Sequence, residues 1–218
     1  MIQEFLKAVK LVQYGLTLKT QLGFAGLFAL IGIIVEVFTK GTNFIGIFYI
    51  VLAGMFLYQL IISIANSTLV QSSPYKRKIQ IVFPLAVMIP WIYIVLTIMT
   101  IIHWNFAQAS AEAYEAQCEM IMILGAILLV TLVYFGVCFK YFIGGTLAMF
   151  AGVMGIMMFF ERPGTFCYEM AHKSFSFSVI MAYVFVTVGL IATYIISALL
   201  YKKPISAMAF RSAMKTKK

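Results

Sequence analysis

Six long apolar stretches, separated by short polar segments, dominate the hydrophobic pattern of the chain. Each is close to the ~20 residues that a helix needs to cross the ~30 Å hydrocarbon core of a bilayer. Transmembrane strands would alternate between polar and apolar positions, whereas these stretches are apolar on every face. The sequence therefore predicts an all-α, polytopic membrane protein. The predicted spans are 22–39, 44–65, 82–102, 120–139, 141–160 and 177–200.

The composition supports this fold class and limits the chemistry available. Of the 218 residues, 63% are hydrophobic and 11% are charged, whereas soluble domains are about 45–50% apolar and about 25% charged. The 7 acidic residues are all glutamates, so aspartate nucleophiles and aspartate metal ligands are excluded. With His103 and His172 as the only histidines, a multi-histidine metal site is not expected.

The basic residues predict the orientation. Of the 16 lysines and arginines, all but Lys40, Arg162 and Lys173 fall on the side that holds both termini. The positive-inside rule therefore predicts cytoplasmic termini in a multi-pass protein of the plasma membrane. The net charge of +9 then reflects topology and attraction to anionic lipid. Nucleic-acid binding is not expected, because the basic residues are divided among short segments beside the spans.

Residues 1–21 have the pattern of an amphipathic helix lying in the membrane interface. They contain no apolar core of the length that a removable signal peptide requires. An ordinary basic flank that assists insertion is the alternative. The spans form a domain over residues 22–201, and residues 202–218 form a basic cytoplasmic tail. The predicted interfacial helix places Phe5 and Leu6 on its apolar face and Lys7 and Lys10 on its polar face.

The segment between the second and third spans is the longest predicted cytoplasmic connection. Ser72 or Ser73 is suited to the N-cap of a short helix, and Pro74 to its first turn. Tyr75 begins a stretch that could continue this helix parallel to the membrane, with the basic residues Lys76, Arg77 and Lys78 clustered on it. The alternative is a stop-transfer cluster that touches lipid headgroups.

Polar residues near the predicted outer surface suggest local contacts. Glu36 and Lys40 have the i,i+4 spacing of a helical ion pair, which we favour over a transport role for Glu36. Cys118 and Cys167 both lie on the external side, where a disulfide is chemically possible. Cys138 lies within a span and is interpreted as a packing residue.

The two external segments differ in character. Residues 104–119 contain an Ala- and Glu-rich stretch that favours a short surface helix. Residues 161–176 contain a helix-breaking Arg-Pro-Gly sequence followed by aromatic residues. That second segment could dip into the outer interface or cap a cavity, although aromatic residues are common at headgroup boundaries.

Small residues recur every four positions on the fifth span, at Gly144, Ala148 and Gly152, and Gly189 begins a similar series on the sixth. Such stripes allow two helix backbones to approach closely. They predict packing between helices of one chain, with a dimer face as the alternative.

The chain lacks the motifs of the common catalytic sites. It contains no G-x-x-x-x-G-K-[ST], G-x-S-x-G, H-E-x-x-H or C-x-x-C sequence. We therefore expect a protein that is not itself an enzyme, holds no cofactor, and receives energy from a partner chain.

The order of these elements resembles the short membrane subunits of ABC-2-type exporters from Gram-positive bacteria. The features that carry the resemblance are a basic N-terminus ending in the segment Tyr14–Thr20, two spans, the segment Ser72–Lys78, and a raised segment before the last span. Within that family the chain is most similar to subunits that export amphipathic peptides, such as phenol-soluble modulins or bacteriocin-like peptides.

The resemblance implies a homodimer that works with two copies of a separate ATPase, which bind ATP and Mg. Residues 2–20 and Ser72–Lys78 would contact that ATPase, and residues 161–176 would match the re-entrant outer helices of the family. ATP-driven alternating access would then move an amphipathic peptide or a lipid-like molecule outward. Two alternatives are a substrate-capture subunit of a vitamin importer and a membrane scaffold or bacteriocin-immunity protein without transport.

Overall fold

The computed structural model describes residues 6, 7, 10, 18–65, 70, 72–204 and 206. Over these residues the chain is helical, without a strand. Seven helices are formed there: α1 (Leu18–Phe38), α2 (Ile45–Ala65), α3 (Lys76–Ala107), α4 (Ala111–Val137), α5 (Phe142–Glu161), α6 (Phe166–Ala171) and α7 (Phe175–Leu200).

All of these helices except the short α6 are long and apolar enough to cross a membrane, which confirms the predicted six spans. Four of them are longer than predicted, and the largest differences are in α3, which has 32 residues, and α4, which has 27. The Ala- and Glu-rich stretch predicted as a separate surface helix forms the first turns of α4 instead. Nothing in that stretch breaks a helix, so it continues into the apolar span.

The chain termini are described only in part. Leu6, Lys7 and Lys10 are helical and exposed, whereas Phe5 and most of the predicted interfacial helix lie outside the described residues. The last four residues of the predicted 1–21 segment belong to α1. Most of the basic tail after Pro204 also lies outside the described residues.

The bundle has two ends of different character. At one end, which we call the capped end, side-chain oxygens close three helix N-termini. Ser110 accepts the Ala113 N–H at 3.1 Å, Ser174 accepts the Phe177 N–H at 3.2 Å, and Thr165 accepts the Tyr168 N–H at 3.3 Å. The opposite end, which we call the basic end, holds the start of α3, the α4–α5 turn and Tyr201 at the end of α7.

Helix α4 is the centre of the bundle. It packs most extensively against α7 and also contacts α2, α3, α5 and α6. Gly125 allows this close packing, because a Cβ atom there would lie 2.5 Å from the Ala182 Cα atom. Gly189 plays the same part further along, where a Cβ would lie 2.9 Å from the Leu132 side chain. The buried hydroxyl of Thr193 adds a hydrogen bond from α7 to the Leu132 carbonyl at 2.7 Å.

The small residues of α5 do not form one packing stripe within the chain. Gly152 approaches the Val130 side chain of α4, at 3.1 Å for an added Cβ. Gly144 has open space around it, and Ala148 is exposed on the same outer face of α5. The face of α5 that meets α4 is the one that carries Gly145 and Met149, both buried. Gly144 and Ala148 therefore point away from the bundle.

Cys118 and Cys138 are buried and Cys167 is half-buried, and each is a free thiol. The possible disulfide between Cys118 and Cys167 is not formed in the structure.

We expect Gly125→Ala to destabilise the bundle, because the new methyl group meets the Ala182 backbone, which cannot move without shifting α7. Overpacking of this kind costs about 1–3 kcal/mol. The matched control is Gly144→Ala, where the methyl group meets nothing within 4 Å. Thermal unfolding of both variants in detergent measures the difference. Equal unfolding temperatures for the two variants would contradict the close packing of α4 and α7.

Candidate functional site

A pair of ionisable side chains is fully buried near the capped end. Glu36 lies in the last turn of α1 and His103 lies near the end of α3, and both have 0% relative exposure. Glu36 Oε1 and His103 Nε2 are 3.0 Å apart. This is ion-pair distance, although the two groups are not aligned for a regular hydrogen bond. Ionisable groups at membrane depth are costly and usually functional.

The predicted pairing of Glu36 with Lys40 was wrong. Helix α1 ends at Phe38, and Lys40 adopts a left-handed backbone conformation with φ 53°. The regular helical spacing therefore does not extend to Lys40, whose side chain is exposed. Glu36 points into the bundle and meets His103 instead.

Gln117 of α4 completes the cluster. Its side-chain Nε2 donates to the carbonyl oxygens of Lys40 at 3.0 Å and Gly41 at 3.4 Å. Its Oε1 is hydrogen-bonded to His103 Nδ1. One amide thus connects the α1–α2 turn to α3, and we call these three side chains the Glu36–His103–Gln117 cluster.

Two glycines let the backbone cover this cluster closely. Gly41 has φ 63° in the turn that ends α1, and its N–H donates to the Glu36 carbonyl at 2.9 Å. A Cβ at Gly41 would lie 2.7 Å from Gln117 Oε1 and 2.8 Å from His103 Cε1. Gly46 in the first turn of α2 lies directly against the Glu36 carboxylate, where a Cβ would overlap Oε2. The site is therefore closely filled.

Sequence reasoning missed this cluster because its members lie on three helices. Each looked unremarkable alone: a boundary glutamate, a single histidine and a glutamine next to a cysteine. One signal was available, since alternating span directions place all three residues at the same membrane boundary. That signal gives proximity to the boundary but does not say which helices are neighbours.

The segment Ser72–Lys78 lies at the basic end. Pro74 and Tyr75 are exposed, and Lys76, Arg77 and Lys78 form the first turn of α3. The basic residues therefore begin the spanning helix itself and do not form a separate helix parallel to the membrane, because the helix continues from Lys76 to Ala107. The N-cap is Tyr75, and Ser73 Oγ accepts the Tyr75 N–H at 3.2 Å.

Lys140, in the α4–α5 turn, extends the positive charge of this end. Its Nζ donates to the carbonyl oxygens of Lys203 at 2.5 Å and Tyr201 at 3.5 Å. Partial burial lowers the pKa of Lys140, and the nearby charge of Lys76 lowers it further. The charges of Lys76, at the start of α3, and Lys140, in the α4–α5 turn, are therefore close enough to interact, and we call these two segments together the basic surface.

A lateral groove of about 380 Å³ lies between α2, α4 and α5. The Thr131 hydroxyl in its wall is occupied by a hydrogen bond to the Ile127 carbonyl at 2.8 Å. The groove therefore suits an apolar ligand better than a polar one. Aromatic and methionine side chains form most of the lining, among them Phe44, Phe48, Tyr49, Met149, Phe150 and Met154.

Comparisons with protein-family models, with curated proteins and with solved structures return no match for this chain. The six long apolar helices define a multi-pass membrane protein. Its function has to be argued from the basic surface, the groove and the buried cluster.

We expect Gly41→Ala to destabilise the protein more than Gly164→Ala. Both glycines have positive φ, 63° and 80°. Both substitutions therefore place a side chain on a left-handed backbone, which costs about 1–2 kcal/mol of stability. Only position 41 adds a clash with Gln117 and His103, because Gly164 has nothing within 4 Å. We expect a further loss of about 1–3 kcal/mol for Gly41→Ala, measured by thermal unfolding in detergent. Equal losses of stability in the two variants would show that the α1–α2 turn is not closely packed against Gln117 and His103.

Proposed function

We propose that this chain is the transmembrane subunit of an ATP-driven, ABC-type exporter that moves amphipathic peptides or lipid-like molecules out of the cell. The observation that carries the proposal is the basic surface at one end of the bundle. There, Lys76, Arg77 and Lys78 begin a spanning helix directly, so a push on this surface acts on the helix itself.

The proposal places the basic end on the cytoplasmic side, in contact with a separate ATPase. The basic residues are suited to acidic groups on such a partner, where charge complementarity contributes more to association rate and specificity than to affinity. The sequence contains no P-loop, so ATP and Mg would bind to the partner. Two copies of this chain with two ATPase subunits would form the transporter, as in the ABC-2-type exporters that the sequence resembles.

The lateral groove supports an amphipathic or lipid-like cargo. It opens on the side of the chain, between α2 and α5, where a molecule could enter from the bilayer. Its methionine and aromatic lining can repack around cargoes of different sequence. An amphipathic helix could place its apolar face there and leave its polar face toward a second copy of this chain.

The groove gives less support to a substrate-capture subunit of a vitamin importer. Such a subunit needs a pocket with several convergent polar groups that fix one small ligand. A scaffold or immunity protein would need neither the groove nor an ATPase partner. The following experiment separates these functions.

We expect the chain to co-purify with an ABC ATPase from the cells that make it, and the complex to hydrolyse ATP. Replacing Lys76, Arg77 and Lys78 together with alanine removes positive charge from the proposed contact, so we expect at least a tenfold loss of complex. The matched control replaces Lys202 and Lys203, which are exposed basic residues at the same end. We expect this control to retain the complex.

Two results would overturn the proposal. Failure of the wild-type chain to bind the ATPase in mild detergent or in nanodiscs would remove the ATPase partner. Equal losses of the complex in the Lys76/Arg77/Lys78 variant and the Lys202/Lys203 variant would show a general charge effect and no specific contact at the start of α3.

We expect Val153→Trp to reduce export of an amphipathic peptide from reconstituted vesicles, because the indole fills part of the groove. The ATPase complex should still form, because Val153 is about three helical turns from the start of α5 at the basic end. Leu147→Trp is the matched control on the same helix, since Leu147 is 66% exposed and does not line the groove. Equal transport by both variants would show that cargo does not use this groove.

A further inference from the structure

The hydrogen bonds of Gln117 fix where the protons of His103 lie. Gln117 Nε2 faces two carbonyl oxygens, Lys40 O and Gly41 O, which can only accept. The amide oxygen therefore faces His103 Nδ1. Because an amide oxygen cannot donate, Nδ1 must carry a proton. His103 Nδ1 is thus protonated in every state that keeps this bond.

One proton is then left to be shared on the other side of the ring. If it is on His103 Nε2, an imidazolium faces a Glu36 carboxylate; if it is on Glu36, a neutral carboxyl faces a neutral imidazole. Both arrangements have zero net charge. Adding a second proton leaves a net positive charge in the site, and removing the shared proton leaves a net negative charge. Either charge is unfavourable in a buried, dry environment.

The packing leaves little space for any ion larger than a proton. Gly46 lies against the Glu36 carboxylate, and Gly41 lies against Gln117 and His103. Both Glu36 and His103 have 0% exposure. Among the described residues, no group of three or more His, Cys or Glu side chains could hold a metal ion.

The other charged groups on the surrounding elements do not enter the cluster. Lys40 on the turn is exposed, as are Glu112 and Glu115 on α4. Glu119 on α4 interacts with His172 and Glu161. Cys118, which follows Gln117, is a buried free thiol. Helix α2 contains no acidic or basic residue, and the lysines and arginine of α3 are at the opposite end from His103.

The cluster also ties α1 to the rest of the bundle. Among the described helices, α1 packs extensively against α2 alone. Its other strong connection is the Glu36–His103–Gln117 cluster, which joins α1 and the α1–α2 turn to α3 and α4. Loss of this connection would free the capped end of the α1–α2 hairpin.

We propose that Glu36 and His103 form a proton-binding site that holds the capped end of the α1–α2 hairpin onto α3 and α4. With one shared proton the site is neutral and the hairpin is attached. When the pair binds a second proton or loses the shared one, the hairpin separates and water reaches the charged group. This site works in the isolated chain, whether or not an ATPase binds.

The first test follows the protons directly. The full chain is labelled with ¹⁵N-histidine in nanodiscs, in a His172→Gln background that leaves only the His103 signals. Spectra are recorded between about pH 4 and pH 9, a range that covers ordinary Glu and His pKa values. We expect Nδ1 to be protonated while the cluster is intact, and Nε2 to change its signal with pH. Unprotonated Nδ1 at neutral pH, or signals that never change, would overturn the proposal.

The second test measures the position of the hairpin. Spin labels are attached at Thr42→Cys and Ala111→Cys, which are exposed positions on the α1–α2 turn and at the start of α4, after replacement of the three native cysteines. We expect the distance between the labels to lengthen at the low pH where the Glu36–His103 pair binds a second proton. Glu36→Gln keeps the shape of the side chain but removes its charge, so we expect loss of the lengthening at high pH.

The matched control for this test is Glu119→Gln, which removes a half-buried carboxyl at the same end but outside the cluster. It should keep the wild-type pH response. His103→Gln, which removes the only other ionisable group of the cluster, should abolish the response at low pH. A label distance that stays constant while His103 titrates would overturn the proposal, as would a Glu36→Gln response identical to that of the wild-type chain.

Discussion

A charged group buried at membrane depth is stable only when it has an opposite charge or a hydrogen-bond partner, because the surrounding hydrocarbon offers neither. The pairing of Glu36 with His103 meets this requirement at the junction of α1, α3 and α4. Gln117 also fixes the position of the α1–α2 turn, because it is hydrogen-bonded both to His103 and to a carbonyl oxygen of that turn. The capped end of the bundle depends on these few polar contacts.

The middle of the bundle is held differently. There α4 and α7 meet through small residues, Gly125 against Ala182 and Gly189 against Leu132, which bring the two backbones close together. Without a hydrophobic driving force between helices in lipid, such close packing supplies much of the association energy. The bundle thus combines a tightly packed pair at its centre with peripheral helices, α1 and α5, each of which packs mainly against one neighbour, α2 and α4 respectively.

The sequence was sufficient to predict the six spans, because a long run of apolar residues has few stable structures in a bilayer. It was less informative where a result depends on which helices are neighbours. Glu36 was assigned to Lys40 by spacing along one helix, but its partner is 67 positions away in sequence. Gly144 fits a small-residue stripe as well as Gly152 does, yet it faces away from the bundle. Spacing within one helix describes its faces, not what lies opposite them.

Helix α3 carries both the basic residues that start at Lys76 and the buried His103. The two positions are 27 residues apart, which corresponds to about 40 Å along a helix. Because no loop separates the two positions, a displacement of a rigid helix at one end would also move its other end. Pro84 and Pro90 lie within it, and each removes a backbone hydrogen bond and allows local bending. Bending at these two prolines would reduce how far a displacement at Lys76 moves His103.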